Sequence, residues 1–241
     1  MTIHFRTRVS FAIFAALAAA SVFAAEPLSE NTAVKPEPRD AKWVQRHEGF
    51  VSLAKRGGID LLFLGDSITD GWRGGGKAVW AKYWAPLKAA NFGISGDRTQ
   101  HVLWRMQNGE LEGIKPKLVV LMIGTNNTGK RNTTPEIIEG VTAVVKGLRA
   151  KLPASKVLLL AIFPRGEKAD QPIRAQLKEI NAALAKLDDG RAVKFLDLGP
   201  KFLQADGTLS RDIMPDLLHP NEKGYQIWAD ATADTVQAMM K

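Results

Sequence analysis

The chain has 241 residues, of which 45% are hydrophobic and 24% are charged, an ordinary composition for one globular domain with a sizeable core. It contains no cysteine, which excludes disulfides, thiol nucleophiles and cysteine metal ligands. The formal net charge is +8, but the lysines and arginines are spread among acidic residues. We therefore expect a solvated basic surface and no nucleic-acid partner.

The first 40 residues predict two segments ahead of the domain. Two arginines, an apolar alanine-rich stretch over residues 11–23 and small residues after it predict a signal peptide over residues 1–25. About 13 apolar residues fall short of the roughly 20 that span a bilayer, so we expect no integral membrane association. Residues 26–40 are rich in proline and charge, which predicts a flexible lead. Cleavage of the signal would place the protein in the periplasm or outside the cell.

From residue 41 onward, strand and helix patterns alternate. Short, largely apolar runs predict buried strands over residues 61–64, 117–123, 156–162 and 193–196, with a further strand ending at Phe92. Apolar residues at helical spacing predict helices over residues 41–55, 99–107, 134–152, 172–187 and 221–240. The alternation predicts a single α/β domain over residues 41–241. In such folds the catalytic and ligand-binding residues commonly lie in the loops that follow the carboxyl ends of the strands.

The segment that follows the first predicted strand has two interpretations. A pattern of Gly, four residues and Gly-Lys begins at Gly71 and approaches a phosphate-binding loop, but that motif needs Ser or Thr after the lysine. Ala78 stands at this position, and the pattern begins well beyond the end of the strand. We therefore interpret the triple glycine at residues 74–76 as a loop beside the site. Ser67, which directly follows the strand within Gly-Asp-Ser, becomes a candidate nucleophile.

A serine hydroxyl needs a base that removes its proton, and commonly a third group that orients this base. His47 and His101 lie on predicted helices, where packing or surface exposure accounts for them. His219 instead lies in a loop between two prolines, three residues after Asp216. The carboxylate of Asp216 can bend back to one imidazole nitrogen, so that the other nitrogen faces outward as a base. Taken alone, a capping aspartate beside an unrelated histidine remains the alternative.

A hydrolase also needs donors for the oxyanion of its tetrahedral intermediate. Gly96 can offer a backbone N–H that no side chain obstructs. Asn126, in a turn after a predicted strand, can offer a side-chain amide, the alternative being a turn residue that bonds its own backbone. The Gly-x-Ser-x-Gly elbow of other hydrolases is approached at Ser95, but Asp97 replaces its second glycine. Ser95 is therefore a weaker nucleophile candidate than Ser67.

Four segments in order resemble the four sequence blocks of the GDSL, or SGNH, hydrolases: Gly-Asp-Ser at 65–67, Gly96, Gly-Thr-Asn at 124–126 and Asp-x-x-His at 216–219. Within that superfamily the chain is similar to the catalytic subunits of intracellular platelet-activating-factor acetylhydrolases and their bacterial relatives. The resemblance implies a flavodoxin-like three-layer α/β/α sandwich around a five-stranded parallel sheet.

The resemblance also implies roles for individual residues. Ser67 would be the nucleophile, His219 the base and Asp216 its orienting partner. The oxyanion would be held by the backbone N–H groups of Ser67 and Gly96 and by the side chain of Asn126. No metal or cofactor is expected in this reaction.

The acyl pocket of the acetylhydrolases is narrowed at positions that match Ile68, Thr125 and Leu218. These side chains are of medium size here, which favours a short acyl group, with acetyl as the expectation. Arg98 departs from the acetylhydrolase pattern, in which a small polar residue usually stands at its position.

The expected function is that of an exported serine esterase for short acyl esters. The acetylhydrolases are intracellular, whereas this chain carries a predicted export signal, which argues against platelet-activating factor as the substrate. Exported bacterial relatives often resemble esterases that deacetylate sugars, and this resemblance makes acetylated carbohydrate a candidate substrate class. A lipid-directed esterase, such as a lysophospholipase, a thioesterase or an acetylhydrolase, is the alternative within enzymes. A carbohydrate-binding protein on an inherited hydrolase fold is the alternative from another class. Because close relatives dimerise, a homodimer also stays open.

Overall fold

The computed structural model describes residue 1, residues 30–129 and residues 131–241. Its contacts divide the chain into one unit, Met1–Glu30, and a second unit, Asn31–Lys241, which contains every element described below. Apart from residue 1, the signal peptide predicted over residues 1–25 lies outside the described residues.

A five-stranded parallel sheet lies at the centre of the second unit. Its strands are β1 (Leu61–Gly65), β2 (Ala89–Gly93), β3 (Leu118–Met122), β4 (Lys156–Leu160) and β5 (Val193–Leu196). They lie in the order β2-β1-β3-β4-β5, with Leu61 opposite Ala89 on one side and opposite Leu118 on the other. This is the strand order of the flavodoxin-like doubly wound fold. The predicted sheet is confirmed.

The strands are joined by helices whose ends follow local sequence signals. The helices are α1 (Ala41–Arg56), α2 (Ser67–Asp70), α3 (Lys77–Tyr83), α4 (Thr99–Gln107), α5 (Thr134–Lys151), α6 (Pro172–Leu184) and α7 (Glu222–Met239). Asp40 caps α1 by accepting the N–H of Trp43, and Thr133 and Glu136 form a capping box before α5. Among the helices described, none is both long enough and apolar enough to cross a membrane.

Both faces of the sheet are covered, so the domain has three layers. Leu62 and Leu64 of β1 pack in a core with side chains of α1, α4, α5 and α6. Leu61 and Phe63 point to the other face and pack in a second core with side chains of α3 and α7. Side chains of a strand alternate between the two faces of a sheet, which is why β1 is apolar at consecutive positions. The three-layer prediction is confirmed.

The lead predicted over residues 26–40 differs from the structure where it is described. Ala33 is fully buried, and its carbonyl accepts a hydrogen bond of 2.7 Å from the hydroxyl of Thr99. Arg39 makes two hydrogen bonds to the loop that follows β2. The proline and charge content of residues 31–40 predicted flexibility, but the contacts of Ala33 and Arg39 hold this segment against the domain.

Two glycines allow α2 to lie close against the ends of the strands. A Cβ on Gly65 would clash with the carbonyl oxygen of Met122, and a Cβ on Gly93 would clash with the backbone of Asp70 in α2. Only a residue without a side chain fits at these contacts. They fix the position of Ser67, the first residue of α2.

Replacing Gly65 with alanine tests this close contact. The added methyl group must displace the Met122 carbonyl or the Thr69 side chain, so we expect Gly65→Ala to lower the free energy of unfolding by about 1–3 kcal/mol. Urea denaturation of the purified domain measures the change.

Gly49→Ala is the matched control. Gly49 lies on the exposed face of α1, and a Cβ there would have nothing within 4 Å. Alanine should stabilise the helix by about 0.5–1 kcal/mol. Similar effects of the two substitutions would contradict the account of Gly65.

Candidate active site

The candidate site lies at the carboxyl ends of three adjacent strands. Ser67 follows β1, Gly96 lies in the loop after β2, and Asn126 lies in the 3-10 turn after β3. Because β1 lies between β2 and β3 and all three are parallel, their following loops meet at one edge of the sheet. This topology brings together residues that are far apart in the sequence.

The structure joins the three predicted triad residues in one chain of hydrogen bonds. Ser67 Oγ lies 2.8 Å from His219 Nε2, and His219 Nδ1 lies 2.6 Å from Asp216 Oδ2. The serine and the imidazole are partly exposed, so both can be reached from solvent. Such an arrangement allows the imidazole to take the hydroxyl proton while the carboxylate stabilises the resulting cation.

The loop that carries Asp216 is folded by that residue itself. Its Oδ1 accepts the backbone N–H groups of Leu218 at 3.1 Å and His219 at 2.7 Å. Leu217, which directly follows Asp216, has φ +61°, a left-handed conformation that costs a non-glycine residue about 1–2 kcal/mol. Burial raises the pKa of Asp216, but the hydrogen bonds from His219 outweigh it, so the pKa is lowered overall. Asp216 therefore stays ionised beside the imidazole.

The helix that begins with Ser67 is held from two sides. Asp66 caps α2, its Oδ1 accepting the N–H of Ile68 at 3.0 Å. Tyr225 of α7 donates its hydroxyl to the carbonyl of Ile68 at 2.7 Å. Both contacts are buried, and they involve the residues that flank Ser67 in the sequence. The position of the hydroxyl thus depends on α7 as well as on β1.

Two of the three predicted oxyanion donors are backbone N–H groups that are free to bind an oxyanion. Within the described part of the chain, the backbone N–H groups of Ser67 and Gly96 have no protein acceptor. Gly96 has φ +81°, a conformation that favours glycine. Asn126 Nδ2 donates to the carbonyl of Asp97 at 2.9 Å, which leaves its second N–H available. The amide of Asn126 is therefore tied to the residue that follows Gly96.

Comparison with known proteins identifies the family. The sequence model of the GDSL-like lipase/acylhydrolase family matches residues 63–227. The chain belongs to this family. The human platelet-activating factor acetylhydrolase IB subunit alpha1 is 39% identical over 202 residues, which cover 81% of this chain and 85% of the human protein.

Solved structures show that the fold is shared. A putative acylhydrolase from Bacteroides fragilis superposes with a TM-score of 0.68 at 20% identity, covering 84% of this chain and all of that chain. An acetylxylan esterase from Geobacillus stearothermophilus superposes with a TM-score of 0.59 at 20% identity, covering 76% of this chain and 94% of that chain. This GDSL-like acylhydrolase thus has the predicted fold class and family.

The three residues predicted for the acyl pocket differ in burial. Ile68 and Thr125 are buried, whereas Leu218 is half-buried and lines a cavity of about 490 Å³ beside Asp216. Arg165 lines the same cavity, and its guanidinium donates to the carbonyl of Thr125 at 3.2 Å. The shared role of these residues in acyl selection stays a prediction.

Sequence reasoning missed Arg165 although its position offered a signal. It lies five residues beyond β4, at the same edge of the sheet as the loops after β1, β2 and β3. Functional residues of such sheets commonly lie just beyond the carboxyl ends of the strands. This location indicated Ser67, and Arg165 has the same location. The strand predicted over residues 156–162 extends two residues beyond the end of β4 at Leu160, so the loop after it begins earlier than the sequence predicted.

The remaining candidates from the sequence have structural roles. His47 and His101 are both buried, His47 Nε2 lying 2.9 Å from the carbonyl of Asn108 and His101 Nδ1 accepting the N–H of Arg98 at 3.0 Å. The Ser95 hydroxyl donates to Asp70 at 3.0 Å.

The glycine-rich loop at residues 74–76 lies beside the loop of His219, as expected. A Cβ on Gly75 would lie 3.5 Å from the carbonyl of Pro220, the residue that follows His219. Over residues 30–129 and 131–241, no cluster of three or more His, Cys, Asp or Glu side chains is arranged to hold a metal ion.

Asp66 gives the folded protein a pH-dependent stability. Burial raises the pKa of Asp66 to about 7; the N–H of Ile68 opposes this shift and the nearby Asp97 adds to it. Its usual pKa is about 4, so the folded state binds the proton more tightly than the unfolded state. The stability that Asp66 contributes is therefore complete below pH 4 and is lost as the pH rises through 7.

The substitution Asp66→Asn tests this assignment. Asparagine keeps an oxygen for the N–H of Ile68 but cannot ionise. We expect the free energy of unfolding of the wild type to fall more steeply between pH 4 and pH 7 than that of the variant. Urea denaturation at several pH values measures both curves. Parallel curves would show that Asp66 does not change its protonation in this range.

Proposed function

We propose that this chain is a serine esterase that hydrolyses short-chain acyl esters, with acetyl as its acyl group and acetylated carbohydrate as its substrate class. The observation that carries the proposal is the continuous chain from Ser67 Oγ through the imidazole of His219 to the carboxylate of Asp216, with distances of 2.8 and 2.6 Å. Ser67 begins α2 directly after β1, and Asp216 and His219 lie in the loop before α7. Membership of the GDSL-like acylhydrolase family supports the same reaction class.

The first half of the reaction forms an acyl-enzyme. Ser67 Oγ attacks the ester carbonyl carbon while His219 Nε2 takes the hydroxyl proton. Asp216 accepts the hydrogen bond from His219 Nδ1, which fixes the imidazole tautomer and stabilises the cation that forms. When the tetrahedral intermediate collapses, His219 gives the proton to the leaving alkoxide, and the alcohol departs.

The oxyanion of the tetrahedral intermediate is stabilised by hydrogen-bond donors that are held in a fixed position. The N–H groups of Ser67 and Gly96 are free to donate, and Asn126 keeps one amide N–H after its bond to Asp97. Donors that are already oriented stabilise the oxyanion without reorganisation during the reaction, and losing one donor typically costs about 10²–10³ in rate.

The second half of the reaction restores the enzyme. A water molecule gives a proton to His219 Nε2 and attacks the acyl carbon, through a second tetrahedral intermediate held by the same donors. The imidazolium then returns the proton to Ser67 Oγ, and the carboxylic acid leaves. Each proton that His219 accepts is thus given back within the same half of the cycle.

The side chains expected at the acyl pocket support a short acyl group. Ile68, Thr125 and Leu218 are of medium size, and Ile68 and Thr125 are buried. An acetyl group needs little space beside such side chains, whereas a long alkyl chain would require them to move, which is unfavourable in a packed region.

Two further observations support carbohydrate as the alcohol. The chain shares its fold with an acetylxylan esterase, and its first 25 residues predict export, to the periplasm or beyond the cell. Acetylated polysaccharides are esters that an exported enzyme meets outside the cytoplasm.

A lipid-directed esterase is the second candidate function. It is favoured by the 39% identity to the human platelet-activating factor acetylhydrolase subunit. That enzyme's name also specifies an acetyl ester, so both candidates share the acyl group and differ in the alcohol.

A substrate series on the purified mature enzyme tests the proposal. We expect the kcat/KM for 4-nitrophenyl esters to fall at least about tenfold from acetyl to butyryl and further to octanoyl, because one poorly accommodated methylene is worth about 1–3 kcal/mol. Acetylated xylo-oligosaccharides should release acetate faster than an acetylated phospholipid at equal ester concentration.

The variant Ser67→Ala is the background for every substrate in the series. It should lose turnover of all of them and keep the circular dichroism spectrum of the wild type. Activity that survives this substitution would overturn Ser67 as the nucleophile, whereas a wild type that turns over none of these esters would favour a binding protein. Rates that rise with acyl length would instead overturn the short-chain assignment.

A further inference from the structure

A buried set of charged and aromatic side chains lies beneath the loop that carries Gly96. The carboxylate of Asp97 is fully buried, and its Oδ1 accepts the indole N–H of Trp43 at 2.7 Å and a guanidinium N–H of Arg39 at 3.2 Å. Arg105 Nε lies 3.3 Å from the other oxygen, an ion-pair distance at angles that do not make a hydrogen bond. The side chain of Asp97 is thus held from three directions.

Arg105 extends this set toward the rest of the domain. It is fully buried, and its Nη1 donates to the carbonyl of Phe92 at 2.9 Å, at the end of β2. The same nitrogen lies 3.3 Å from Glu110 Oε2, which in turn lies 3.5 Å from His47 Nδ1. The strand before the loop, the helix after it and α1 are all connected to Asp97 in this way.

Overall stability is a weak reason for such an arrangement. Removing charges from water is costly, and buried ion pairs can often be replaced by apolar side chains without loss of stability. An aliphatic cluster would fill the space between α1 and α4 equally well. A carboxylate with two directional hydrogen bonds and an ion-pair partner provides what an aliphatic side chain lacks, a fixed orientation of the backbone at its own position.

The backbone of Asp97 faces the candidate site. Its N–H donates to the carbonyl of Ile94 at 3.2 Å, which closes the turn that contains Gly96. Its carbonyl accepts the amide of Asn126 at 2.9 Å. One residue is therefore bonded directly to one proposed oxyanion donor and is covalently adjacent to the other.

We infer that Asp97 is the positioning residue of the proposed oxyanion hole, setting the Gly96 N–H and the Asn126 amide as one unit through its contacts with Trp43, Arg39 and Arg105. This inference rests on the proposed function. Asp97 does not touch the substrate. It acts through two groups that do, and Trp43 and Arg105 act through Asp97.

Loosening the contacts of Asp97 should lower kcat and leave KM nearly unchanged. A shift of about 1 Å in a positioned group can cost about 10²-fold in rate, so partial loosening of Asp97 should cost about tenfold in kcat. The oxyanion forms only after substrate has bound, so KM should change little.

Trp43→Phe tests the inference, and Trp104→Phe is its matched control. Phenylalanine keeps an aromatic ring at position 43 but removes the N–H that bonds to Asp97. Trp104 packs against Trp43 with ring centroids 5.3 Å apart and makes no hydrogen bond to Asp97. With 4-nitrophenyl acetate we expect Trp43→Phe to lower kcat about tenfold with KM within twofold, and Trp104→Phe to change kcat less than twofold.

A double-mutant cycle separates positioning from a general loss of stability. If Asp97 acts through Asn126, Trp43→Phe should reduce kcat by a smaller factor in an Asn126→Ala background than in the wild type. A factor that is the same in both backgrounds would show that the two residues act independently and would overturn the inference. Equal loss of kcat in Trp43→Phe and Trp104→Phe would overturn it as well.

The Ser67→Ala variant distinguishes a failure of the inference about Asp97 from a failure of the proposed function. If it abolishes turnover while Trp43→Phe behaves like Trp104→Phe, the esterase proposal stands and the positioning role of Asp97 is wrong. If Ser67→Ala leaves turnover intact, the proposed function itself has failed.

Discussion

The hydrogen bond of 2.8 Å between Ser67 and His219 joins residues 152 positions apart, and the rest of the site depends on it. A serine hydroxyl is a weak nucleophile unless a base lies within this distance. The partners come from opposite ends of the domain sequence, Ser67 from the end of β1 and His219 from the loop before α7. Any displacement of α2 or of that loop therefore reaches this contact directly.

Several buried contacts restrain each partner. Glycines at 65 and 93 let α2 lie against the strand ends, and Tyr225 of α7 holds the carbonyl of Ile68. Asp216 fixes both the backbone and the imidazole of His219 through two carboxylate oxygens. Because α7 follows the loop of His219 and also contacts α2, the same helix places both members of the central hydrogen bond.

The sequence allowed the sheet and the triad to be predicted because both have strong local signals. Consecutive apolar residues indicated β1, β3 and β4, and the loops after such strands pointed to Ser67 and Asn126. The contacts of Asp97 with Trp43 and Arg105 have no such signal, since the partners lie 54 and 8 residues away and their burial appears only in the folded chain. The packing of Ala33 was missed for the same reason, because a single alanine within a polar segment gives no periodic pattern.

The proposed mechanism requires Ser67 to be a nucleophile that His219 activates. Labelling with a fluorophosphonate, followed by mass spectrometry of the peptides, tests it most directly. We expect one adduct, on Ser67, and labelling at least about 10²-fold slower in His219→Ala, because a general base typically contributes that factor. An adduct on Ser95, or an unchanged labelling rate in His219→Ala, would contradict the claim.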